Sequence, residues 1–174
     1  MCETKYISAF KSRGFRYTLI NTLSVILSDI CKENDINPII NNKNISPFLT
    51  DSLQSITIND YLKRLVKYTQ AESSTLIAML IYIDRLCELN NFIVNSYNVY
   101  KILFSSLIMA IKYNEDEYYD NKFYAKVGGV TLKEMNILEI SFLKLIDFKL
   151  YISEEIFETY FENIIEAMNS FNNN

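Results

Sequence analysis

No histidine occurs among the 174 residues, and that one absence removes most of the common chemistry. An imidazole general base, a Ser-His-Asp triad, a Cys-His pair and a His-ligated zinc site are all excluded. Cys2, Cys31 and Cys87 lie far apart and show no metal-ligand spacing, so they read as reduced thiols of an intracellular protein. Glu115, Asp116, Glu117 and Asp120 form an acidic cluster, but they lack the ligand spacing and turn glycine of a calcium loop and read as a solvated connection. Gly128-Gly129 is no phosphate cradle, because neither Gly-x-x-x-x-Gly-Lys-Ser/Thr nor Gly-x-Gly-x-x-Gly occurs. Nothing marks two carboxylates as facing each other across a pocket. The expectation is a protein that is not an enzyme, with no catalytic residue, no metal and no cofactor.

Whatever these residues do, they must be positioned by helices. Nearly half the chain (49%) is apolar, while glycine and proline number three and two, which favours an all-α fold with a sizeable core over strands and tight turns. Leu19, Leu23, Ile26, Leu27 and Ile30 give an amphipathic docking helix over residues 15–35. Residues 1–14 are expected to be an N-terminal tail, and residues 36–54, with Pro38, Pro47 and an asparagine run, a linker over the surface. Thr57-x-x-Asp60 opens the next helix, which ends near Thr69, and Ser73 or Ser74 is placed to cap a second that is apolar almost all round.

A third helix, from about Ser96 through Ile111, carries too many apolar positions for a surface stripe and should be the central one. A short helical turn over residues 122–127 closes on Gly128-Gly129, which can supply left-handed geometry. Thr131-x-x-Glu134 then matches a capping box for a fourth helix running to about Ile146. The last helix starts at Ser153, with Glu154 and Glu155 in its first turn, and Ile156, Tyr160, Ile164 and Met168 line up beside Phe157, Phe161 and Ile165 as a wide apolar face. Residues 55–168 thus form one domain, and residues 169–174 are expected to be a disordered tail.

The formal net charge is −4, and Lys and Arg occur singly or in pairs, so no nucleic-acid partner is expected. No apolar run reaches the ~18 residues of a membrane span, so no membrane partner is expected either. The longest run, residues 102–111, is interrupted by Ser105 and Ser106.

Several segments resemble the P/U-type, phosphate-pathway-like cyclins. They are Ile58-Asn-Asp-Tyr-Leu-Lys-Arg-Leu-Val-Lys-Tyr, Tyr82-Ile-Asp-Arg-Leu, Ala110-Ile-Lys-Tyr-Asn-Glu-Asp, Tyr118-Tyr-Asp-Asn-Lys-Phe-Tyr-Ala-Lys-Val-Gly-Gly-Val and Leu138-Glu-Ile-Ser-Phe-Leu. The likeness spans about residues 56–150. It implies a single five-helix cyclin box preceded by the N-terminal helix. It also implies a regulatory subunit that binds and activates a cyclin-dependent serine/threonine kinase in the nucleus, the cytoplasm or both, with cell-cycle regulation as one setting. Kinase substrates are further partners on this reading. The alternative is a cyclin-fold scaffold for a non-kinase partner in transcription or signalling.

The resemblance also assigns residues. Lys112, ending the third helix, and Glu139, in the fourth, would hold the kinase's regulatory helix. Met109, Tyr113, Leu143, Phe148 and Leu150 would line the apolar surface beside them. Asp84 would form a structural ion pair with Arg64. One departure stands out: cell-cycle cyclins carry Met-Arg-x-Ile-Leu and a tryptophan in the first box helix to dock Arg-x-Leu motifs. This chain has Asn59-Asp-Tyr-Leu-Lys-Arg there and no tryptophan, so that docking mode is not expected.

Overall fold

The computed structural model describes Phe10, residues 12–36 and residues 47–172. Among these residues there are seven α-helices and no strand: α1 Arg13–Asp35, α2 Ile58–Thr69, α3 Ser73–Asn90, α4 Val99–Asn114, α5 Asn121–Gly128, α6 Leu132–Leu145 and α7 Glu154–Asn172. The chain is therefore all-α. Residues 1–9 and 11 of the expected tail, residues 37–46 of the expected linker and residues 173–174 lie outside the described residues.

Helices begin where a short polar side chain can take an otherwise unpaired N–H. Thr57 Oγ1 accepts from Asp60 N at 3.0 Å, and Thr131 Oγ1 from Glu134 N at 3.1 Å, as the spacing of each pair anticipates. Ser12 caps α1 in the same way, placing its start at Arg13, two residues before the expected Phe15. Two expectations fail. At α3 the N-cap is Glu72, with no side-chain cap bond, while Ser73 is the first helical residue and its buried hydroxyl has no partner. α4 starts at Val99, because Asn98 first closes a turn by accepting from Asn95 N through its side chain.

α3 and α4 pack against each other at the centre. From Leu76 to Ile83 every α3 residue is buried, as is every α4 residue from Ile102 to Ile111. The serines that interrupt this run are accommodated by bonding back to the helix, Ser105 Oγ to Lys101 O at 2.7 Å and Ser106 Oγ to Leu103 O at 3.1 Å. α1 and α7 pack together as an outer pair, with the Phe15 ring stacked on that of Phe161 at 6.2 Å, and Leu19, Leu23, Leu27, Ile164 and Met168 are buried in the same core.

The two adjacent glycines have different jobs. Gly129 takes the left-handed conformation, φ 76°, that ends α5. Gly128 is there for space: a Cβ would stand 2.5 Å from the Phe104 ring, so α5 can lie on α4 only without one.

The linker expectation needs correction. Phe48 is fully buried, with its ring 6.3 Å from that of Phe142, and Thr50 N bonds Tyr97 O at 2.9 Å. A large aromatic gains more from burial than a surface connection costs in order. Nor is residue 169 the start of a disordered tail. α7 continues through Asn172, because Met168 docks its last turns and the backbone ladder runs on through polar residues.

Candidate functional site

The C-terminal end of α4 and the middle of α6 meet at a three-residue polar cluster. Lys112 Nζ lies 2.6 Å from Glu139 Oε1 and 2.6 Å from Asn121 Oδ1, and Asn121 Nδ2 donates to Glu139 Oε2 at 2.6 Å. Both charged side chains are largely buried, so each needs the others for its hydrogen bonds. Asn121 reaches the pair because Asp120 caps α5, accepting from Phe123 N at 2.8 Å and setting Asn121 as the first helical residue. Asp120 thus ends the exposed acidic connection and also caps the helix that follows it.

A second feature lies beside the cluster. After α6 the chain turns through Asp147 and Phe148, both at φ 54°. For an aromatic residue that left-handed conformation costs about 1–2 kcal/mol. The turn is held by Phe148 N to Leu143 O at 2.8 Å and Lys149 N to Ile146 O at 3.0 Å. α3 adds a clamp on carbonyls either side of the turn. Tyr82 Oη donates to Leu150 O at 2.7 Å, Arg85 bonds the carbonyls of Lys149 and Tyr151, and Asn90 Nδ2 donates to Leu145 O at 2.8 Å. Asn114 Nδ2 lies 3.4 Å from the same Tyr82 hydroxyl, so one side chain ties the end of α4 to the turn.

The strain buys exposure of a large side chain: Phe148 is 63% exposed on a turn whose backbone is fixed. Tyr113 (49%), Ile140 (50%) and Tyr151 (72%) are also open to solvent on the elements that this network joins. Leu143 and Leu150 are half-buried against the core. Met109 is the exception among the expected lining residues. It is only 3% exposed and packs inward, because its position on α4 faces the core.

The expected Arg64–Asp84 pair is not formed. Arg64 Nη2 donates to Lys126 O at 3.4 Å, whereas Asp84 Oδ2 accepts from Tyr160 Oη of α7 at 2.8 Å. α7 packs over the Asp84 side of α3 and supplies a neutral donor in place of a cation. Burial pushes the Asp84 carboxyl above its ordinary value, partly offset by the Tyr160 hydrogen bond and reinforced by Glu88.

Sequence reasoning missed Asn121, Ile140, Tyr151 and the clamp of Tyr82, Arg85 and Asn90. The Tyr82-Ile-Asp-Arg word carried part of that signal, but its first and last letters, rather than its aspartate, grip the turn. Burial also lifts the thiols of Cys31 and Cys87, to about 12 and about 11, so neither is a nucleophilic thiolate at neutral pH. Among the described residues no cluster of three or more metal-ligating side chains occurs, and no helix is long and apolar enough to cross a membrane. The arrangement offers a fixed charge pair beside exposed apolar side chains, which suits recognition of another protein.

The cyclin family model matches residues 7–150. Cyclin-U4-1 of Arabidopsis thaliana is 35% identical over 153 residues, covering 86% of this chain and 76% of that one. Cyclin-U2-1 of the same plant is 39% identical over 109 residues, 62% of this chain and 49% of its own length. The PHO85 cyclin-like protein psl1 of Schizosaccharomyces pombe is 35% identical over 156 residues, 82% of this chain and 64% of that one. With most of its length inside the family match and relatives of the U and PHO85 types on both sides of the plant–fungal divide, the chain belongs to the cyclin family, as a P/U-type cyclin with a single cyclin box.

Proposed function

We propose that this cyclin binds a cyclin-dependent serine/threonine kinase through the α4–α6 edge and activates it, performing no chemistry itself. The observation that carries the reading is the Lys112–Asn121–Glu139 cluster, three residues locked at 2.6 Å beside the exposed Tyr113, Ile140 and Phe148. A kinase becomes active when its own Lys-Glu pair and metal-binding Asp are brought into place, and its regulatory helix sets that geometry. Lys112 and Glu139 would engage polar groups of that helix, while Phe148, Tyr113, Leu143 and Leu150 take its apolar side chains. Met109 would support the surface from beneath. The name of psl1 refers to a PHO85 cyclin, which agrees with a kinase partner.

The test is co-expression with each cyclin-dependent kinase of the encoding organism, followed by size-exclusion chromatography and a phosphorylation assay. A co-eluting pair whose kinase activity exceeds that of the kinase alone is expected. Unchanged activity and no complex with any of them would overturn the proposal.

A further inference from the structure

Four lysines of the described residues are paired with carboxylates within 3.0 Å: Lys32 with Asp29, Lys101 with Glu134, Lys112 with Glu139 and Lys149 with Asp147. Four others, with Arg64, gather on two neighbouring helices and form no such pair. Lys63, Arg64 and Lys67 lie on α2, and Lys122 and Lys126 are one helical turn apart on α5. The helices pack together, and Arg64 joins them by donating to the Lys126 carbonyl. Arg64, Lys67, Lys122 and Lys126 are exposed, and Lys63 is half-buried.

The acids nearest this group in sequence are engaged elsewhere: Asp120, two residues before Lys122, accepts from Phe123 N at 2.8 Å, and Asp60 is engaged by the Thr57 hydroxyl at 2.8 Å, while Glu134 near Tyr61 is taken by Lys101. In a chain of net charge −4 this leaves a concentrated positive stripe. Two exposed aromatics flank it, each beneath a lysine: Lys63 Nζ is 5.2 Å from the Tyr17 ring centroid, and Lys67 Nζ is 5.5 Å from that of Tyr68.

We infer that the α2–α5 stripe docks an acidic peptide segment of a partner protein, rich in Asp or Glu and carrying an apolar residue for Tyr17 or Tyr68. Charge complementarity selects the occupant, because five cations with no carboxylate of their own attract carboxylates and repel basic segments. The stripe is short. The 12 residues of α2 rise about 18 Å, which an extended chain covers in roughly six residues. At the far edge the acidic residues 115–120 begin, so a long polyanion such as nucleic acid would run into like charge. The stripe shares no residue with the α4–α6 edge, so docking here does not depend on the kinase reading and is measured on the cyclin alone.

The probe is a fluorescein-labelled glutamate octapeptide with leucine at each end, titrated by fluorescence anisotropy at low and at near-physiological salt. Saturable binding that weakens as salt rises is expected. Lys63→Glu/Lys67→Glu together should weaken it at least about tenfold, while Lys32→Glu, which changes charge away from the stripe, leaves it within about twofold. Lys126→Glu, on the other helix, should weaken it severalfold and decides the matter where circular dichroism shows the double variant unfolded. Absence of saturable binding overturns the proposal. So does equal weakening by Lys32→Glu, which would mean net charge alone, and so does tighter binding of a single-stranded oligonucleotide of equal length.

Discussion

The α3–α4 centre and the α4–α6 edge are built from the same helix, yet they obey opposite rules. Along the shared length of α4, residues 102–111 are all buried and their only polar side chains, Ser105 and Ser106, satisfy themselves within the helix. One residue later Lys112 enters a charged cluster with two other elements, and Tyr113 turns to solvent. At the centre every choice lowers the energy of the fold. At the edge the chain keeps a largely buried ion pair, which apolar residues could replace without loss of stability, and holds Phe148 in a disfavoured conformation. Concentrated on one edge, these features that the fold does not need for itself are what the proposed kinase-binding role would explain.

Substitutions at the two regions should therefore split stability from binding. The largest effect belongs to the centre. Phe104 is fully buried against Gly128, and Phe104→Ala should cost about 3–5 kcal/mol of unfolding free energy, read by urea denaturation. A loss near 1 kcal/mol would mean that the centre is looser than described. Phe148→Gly sharpens the contrast, because it should move the two quantities in opposite directions. Relief of the left-handed strain, less the added freedom of glycine in the unfolded chain, should raise stability by up to about 1 kcal/mol. Kinase affinity should fall about tenfold as the exposed ring is lost. Destabilisation with unchanged affinity would show that Phe148 serves the fold.

A smaller effect concerns pH. The Asp84 carboxyl is raised in the folded state, so the native protein holds that proton more tightly than the unfolded chain does. Between the unfolded carboxylate value near ~3.9 and the raised folded value, Asp84 then makes stability fall as pH rises. Asp84→Asn keeps an acceptor for the Tyr160 hydroxyl and removes this contribution. Its stability curve should lack that downward component, with the difference from the parent growing through the window and constant above it. Parallel curves for the two proteins would refute the assignment.

What could be read from the sequence followed from interaction range. The Thr57 and Thr131 caps and the left-handed Gly129 are settled within three or four residues, and the structure has them where the spacing puts them. The burial of α3 and α4 was legible because it depends on composition over several turns. Contacts across the fold were not. The role of Gly128 depends on Phe104, 24 residues away, and the partner of Asp84 is Tyr160, supplied by a helix 76 residues on. Lys112 and Glu139 were reached through family resemblance, whereas Asn121, which completes their hydrogen bonds, was reached by neither route. Phe48 was hidden by its surroundings, a lone aromatic between prolines and polar residues in a stretch that otherwise reads as a surface connection.

The central claim is that the Lys112–Asn121–Glu139 cluster exists for the kinase, and charge reversal tests it most directly. Lys112→Glu and Glu139→Lys are made singly, checked by circular dichroism and thermal melting, and titrated against the kinase by calorimetry. Reversal of a desolvated interfacial charge typically costs roughly 2–5 kcal/mol or more of binding, which is tens to thousands of fold in affinity. Each variant should keep the helical spectrum and melt cooperatively while kinase affinity falls by that amount. Folded variants that bind the kinase with near-native affinity would contradict the account, and variants that unfold would show that the cluster serves the box itself.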